Sequence, residues 1–158
     1  METISPITLP YFDKLVTVRR FLEQDKEGNP RFPYLGCQDA TRLVHYTAGL
    51  EEQAGWFIQQ DVDLRKLNLD KGWHAWNYDS ERRLYVDLSM DQFGDYRSIE
   101  VLPEDTHLLE FTDKNTKKHL RMKSEELIRR FETFKQTFVP PRHLAELVLG
   151  AEPQAQTF

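Results

Sequence analysis

A single cysteine, Cys37, occurs in the 158 residues, so the chain closes no disulfide within itself and must hold its fold by packing. Long apolar runs are also missing. None approaches the ~20 residues that a membrane-spanning helix needs. A basic surplus is absent: Lys and Arg number 21 against 26 Asp and Glu, the net charge is -5 and the pI is near 5.6. Those cations are scattered and form no stripe, which argues against nucleic acid or an anionic membrane as a partner. The opening METISPITLPYF lacks the basic start and apolar stretch of a secretory signal. Together with the unpaired thiol, this leads to the expectation of a cytoplasmic protein.

What is present suits a globular chain. Hydrophobic residues make up 39% and aromatic ones 12%, enough to build one core at this length. The reading is one domain over residues 1–150, followed by AEPQAQTF, residues 151–158, as a flexible tail too poor in apolar content to pack. Nothing in the pattern fixes an oligomeric state.

Periodicity sets the elements. Phe12, Leu15, Val16 and Leu22 recur at helical spacing over residues 11–24. A loop rich in Gly, Pro and Asn then leads to Gly36 and Cys37, where a second helix begins with the small and apolar stripe Ala40, Leu43, Val44, Thr47 and Ala48 and ends at Gly49. GWFIQQDVDL, residues 55–64, reads as a strand. GWHAWNY and RLYVDL flank Asp79-Ser80-Glu81-Arg82 as a hairpin. HLLEFTD and KKHLRMK read as a second hairpin, Ser124 starts a helix to about Phe138, and HLAELVLG reads as a short docking helix. Helices followed by strands and a further helix describe an α+β domain with an antiparallel sheet.

The chemistry-bearing residues concentrate at two places. Cys37 is placed in the first turn of its helix, where the positive end of the macrodipole and unpaired backbone N–H groups favour a thiolate and a tetrahedral oxyanion. In the hairpin, a symmetric turn between Ser80 and Glu81 pairs Tyr78 with Arg83 and His74 with Asp87, so a carboxylate stands directly beside an imidazole. In that register His74, Trp76, Tyr85 and Asp87 share one face. Trp73, Ala75, Leu84, Val86 and Leu88 share the more apolar other face. If the second face is core, the first is free to line a cleft with Trp76 and Tyr85 as its walls. Tyr34, Gln38 and Asn77 are all candidates to complete an oxyanion hole, and spacing does not choose among them. A metal site from Cys37, His45, His74 and Asp87 lacks any short ligand spacing, and no cofactor is expected. His45 reads as a core or flanking histidine. Taken singly, each of these residues also has a plain structural reading: buried thiol, sheet histidine, strand-end cap.

The order GCQDATRLV, then a glycine and a β segment, then WHAWN, then LYVDLS, over about residues 34–93, resembles the transglutaminase-like branch of the papain-like cysteine hydrolase superfamily. The resemblance matches Cys37 to the nucleophile that opens a helix, His74 with Trp76 to an H-x-W strand, and Asp87 with Ser89 to a D-x-T/S strand end. It implies a papain-like/transglutaminase-like core in which the Cys-bearing helix packs against an antiparallel sheet. It also implies a cysteine-dependent hydrolase or acyltransferase acting on a peptide, a protein side chain or a small acyl substrate. The alternative is the same fold without catalysis, used as a peptide or protein binding module.

Overall fold

The computed structural model describes residues 4–34, 36–58, 72–112 and 124–139. Helix α1, Phe12–Gln24, buries Phe12, Leu15, Val16, Val18, Phe21 and Leu22 on one side, as its spacing requires. Helix α2, Cys37–Ala48, buries Ala40, Leu43 and Val44 and stops at Gly49, whose φ of 72° lets its N–H close back on the His45 carbonyl at 2.9 Å. Both ends of α2 fall where the flanking glycines put them. Helix α3, Glu125–Lys135, is amphipathic, and its Phe131 meets Phe21 edge-on at 5.4 Å while Arg130 clamps Asp25 with two hydrogen bonds of 2.9 Å.

Among the described residues, five strands form one antiparallel sheet in the order β4-β3-β2-β1-β5. They are β1, Glu51–Phe57; β2, Trp73–Asp79; β3, Leu84–Asp87; β4, Glu100–Pro103; and β5, Leu109–Phe111. Period-two alternation splits the core in two. Val86, Leu88, Ile99 and Val101 pack with α1, α2 and Phe131, whereas Phe57, Trp76, Tyr85, Leu102 and Leu109 gather with Met90 and Phe93 in a separate cluster. Asn77 Nδ2 donates to the Thr41 carbonyl at 3.0 Å, tying β2 to the middle of α2.

Several elements depart from the sequence reading. The first strand was expected over residues 55–64; strand β1 begins earlier and covers Glu51–Phe57, and residues 59–64 lie outside the described residues. Its charged start is tolerated because Glu52 pairs with Arg42 at 3.0 Å and Gln53 donates to Glu51. The expected second hairpin is half replaced: β5 pairs with β1, while residues 117–123 lie outside the described residues, as do 143–150 and 151–158. Strand β4 has no counterpart in the sequence reading, since its four residues end in Pro103 and carry Glu100, which is buried only because Arg97 holds its carboxylate at 2.6–2.9 Å. Among the described residues no helix is long and apolar enough to cross a membrane.

Candidate active site

The β2–β3 turn spans Ser80 to Arg83, with Arg83 in the left-handed region at φ 58°, and so the ladder pairs Asn77 with Val86, Tyr78 with Tyr85 and Asp79 with Leu84. This is two residues away from the symmetric register. His74 and Asp87 are therefore diagonal neighbours rather than directly opposed, and the same ladder carried further sets Asp87 beside Trp76. A slip of two keeps every side chain on its own face, whereas a slip of one would have separated the pair. His74 Nε2 and Asp87 Oδ2 are 2.6 Å apart, with the two side chains 0% and 1% exposed.

The surroundings fix both partners. Ser89 donates its backbone N–H to Asp87 Oδ1 at 2.9 Å, and Gln92 Nε2 donates to the Ser89 carbonyl at 3.0 Å, so the strand end is locked to the short 3-10 turn Met90–Phe93. The imidazole stands edge-on to Phe93 at 4.9 Å and to Phe57 at 6.4 Å. Burial works against a charged imidazole there. The Asp87 carboxylate, by charge and hydrogen bond, and then Cys37 outweigh it and raise His74 from its ordinary 6.5 to about 10. The ring is thus an imidazolium at neutral pH.

Cys37 is half-buried at the first position of α2 and lies close enough to His74 to add to that upward pull. With Nε2 committed to Asp87, the sulfur is left the Nδ1 side of the ring. Among the described residues Nδ1 has no hydrogen-bond partner, which leaves it open to the sulfur; nucleophile and base often stand apart before substrate binds. Gly36 precedes Cys37 at the cap position and offers no side-chain acceptor to the first-turn amides. A Cβ at Gly36 would meet the Phe32 ring at 2.3 Å, so the glycine makes room for that ring.

The other candidates separate. Gln38 is half-buried beside Cys37 in the same turn. Tyr34 is 54% exposed. Asn77 is spent on the Thr41 carbonyl and belongs to the α2-facing side of β2, away from the His74 face. Trp76 and Tyr85, expected as groove walls, are buried at 1% and 9% with rings 5.6 Å apart, because their face carries a second aromatic core and not an open cleft. His45 is exposed, with Nδ1 2.9 Å from the Leu50 carbonyl, and not part of the core. Gln53, which pairs with Trp76 across β1 and β2, was missed because the strand was placed too far along the chain. Among the described residues, no group of three or more His, Cys, Asp or Glu side chains is arranged to hold a metal ion.

A cavity of about 840 Å³ opens at the other end of α2, between Tyr11, Lys14, His45, Asp79 and Arg82. Its lining contains none of the three site residues. Cys37 and Ala48 bound α2, and twelve helical residues put them roughly 17 Å apart. No family model, curated protein or solved structure matches this chain.

Proposed function

We propose that the chain is a cysteine-dependent hydrolase or acyltransferase built on a papain-like/transglutaminase-like core. The observation that carries this reading is the buried His74–Asp87 pair with Cys37 near enough to the imidazole to raise it further. An imidazolium beside a sulfur supplies the counter-charge for an attacking thiolate, and a buried carboxylate fixes which ring nitrogen faces it.

In this mechanism the Cys37 sulfur adds to the carbonyl carbon of an amide, ester or thioester, and the π pair moves onto oxygen. Collapse of the tetrahedral adduct reforms the carbonyl and breaks the bond to the leaving group, which takes the proton held on His74 Nδ1. The products of this half are the free amine, alcohol or thiol and an S-acyl Cys37. Water or an amine then attacks the thioester, gives its proton back to His74, and releases the acid or the new amide as Cys37 leaves as thiolate. Asp87 accepts a hydrogen bond from Nε2 throughout and keeps its charge.

Incubation with a panel of activated acyl esters followed by mass spectrometry tests this directly. The expected result is one acyl adduct on Cys37, lost in Cys37→Ala. No adduct with any acyl class contradicts the proposal.

One observation favours a second reading, a binding module on the same fold: the large groove is remote from the thiol and His74 is fully enclosed. Under that reading a folded Cys37→Ala chain keeps its full biological activity. Under the enzyme reading it loses it.

A further inference from the structure

We infer that Arg19 is a positioning residue of the thiol site, holding the Asp87 strand end through its hydrogen bonds and the approach to Cys37 through a cation–π contact. This inference rests on the acyl chemistry proposed above. Arg19 lies on α1 and is 4% exposed. Its Nη1 donates to the carbonyl of Leu88, the residue after Asp87, at 2.7 Å. Nη1 and Nη2 also grip the two carboxylate oxygens of Asp91, at 2.9 and 2.7 Å, within the turn Met90–Phe93. Ser89, the donor to Asp87, is tied to that same turn. Burial pushes the Asp91 carboxyl up, Arg19 pulls against it, and the nearby Asp87 charge adds to the rise. Arg19 thus offsets a second carboxylate and leaves Asp87 to hold His74.

The second arm reaches the other half of the site. Arg19 Cζ stands over the Phe32 ring, 4.7 Å from its centroid. That ring is what a Cβ at Gly36 would meet at 2.3 Å, and Gly36 is the cap residue directly before Cys37. The ring that the guanidinium covers therefore also sets how the backbone enters α2. His74 and Asp87 are joined by one hairpin, while Cys37 comes from elsewhere in the chain. Arg19 is where the supports of both meet.

The rival explanation is a buried ion pair that only stabilises the fold, since Arg19 Nε also donates to Glu23 on its own helix at 2.8 Å. Stability alone is a weak reason for such a group, because apolar side chains of similar volume often replace buried ion pairs at no loss. The contacts made here call for a planar fork, which lysine lacks although it carries the same charge. Arg19→Lys therefore removes the geometry and keeps the charge.

Two readouts on the full chain separate these accounts: the His74 imidazole N–H resonance in ¹⁵N-histidine-labelled protein, which reports the Asp87 end, and the alkylation rate of Cys37 by iodoacetamide at neutral pH, which reports the sulfur. In folded Arg19→Lys the resonance is expected to move upfield and alkylation to slow about 10-fold, most of the gap between a paired thiolate and a free thiol only a few per cent ionised. Phe12→Leu, two turns away on α1, is expected to lower the urea midpoint and leave both readouts as in wild type. Readouts unchanged in Arg19→Lys, or shifted equally in Phe12→Leu, overturn the inference. Should Arg19→Lys not fold, the single arms decide: Asp91→Asn is expected to move the resonance and Phe32→Leu to slow alkylation, and no response in either overturns it. A wild-type Cys37 no faster than a model thiol overturns the active-site proposal itself and this assignment with it, whereas a fast wild type that Arg19→Lys leaves unchanged overturns this assignment alone.

Discussion

At His74, burial, a carboxylate and a thiol act on one imidazole. Burial favours the neutral ring, but the Asp87 charge and hydrogen bond, reinforced by Cys37, favour the imidazolium and raise it from 6.5 to about 10. The folded state therefore holds a proton that the unfolded chain releases between those two values. This contribution to stability is fully present below 6.5 and is lost as the pH rises through about 10. Denaturant unfolding across that window is expected to show falling stability, and Asp87→Asn should flatten the fall by removing the cause. A wild-type profile as flat as that of Asp87→Asn would contradict the assignment. The pair itself was legible in the sequence because a period-two face survives a two-residue error of register. The burial of Trp76 and Tyr85 was not legible, since the same alternation fits a cleft wall and a second core equally well.

Among the elements, the crossing of β1 and β5 sets the tightest geometric demand. Gly55 lies beside His74 in the β1–β2 ladder and beside Phe111 in the β1–β5 ladder, and a Cβ there would stand 1.9 Å from the Glu110 carbonyl oxygen. That neighbour is backbone, which cannot swing aside, so the sheet turns tightly over the Phe57 and Trp76 cluster only because position 55 has no side chain. Gly55→Ala is expected to cost about 3 kcal/mol, the upper end for overpacking, measured by urea unfolding. A loss below about 0.5 kcal/mol, the ordinary range for an innocuous surface change, would mean that β5 does not approach so closely. Helix α2 was readable to the residue because glycines bracket a clean apolar stripe. Strand β1 was misplaced because its opening charges, Glu51 and Glu52, look like loop until Arg42 and Gln53 are seen to engage them.

Over the whole molecule, the chain brings together what local pattern leaves apart. His74 and Asp87 are neighbours through one hairpin, whereas Cys37 arrives on a helix fixed by packing against α1 and by the Asn77–Thr41 hydrogen bond. The α+β class and the antiparallel sheet were readable from element order. The sheet order was not, because β4 is four residues long and β5 joins β1 from a distant part of the chain. The thiol approach was likewise invisible to periodicity, which places a residue on a helix but not the helix on the sheet. The central claim is that this fold couples Cys37 to His74, and the alkylation rate of Cys37 by iodoacetamide at neutral pH tests it most directly. The account predicts a rate above that of a free model thiol, falling to the model rate in a folded His74→Gln chain; a wild-type rate no faster than the model thiol and indifferent to His74 would contradict it.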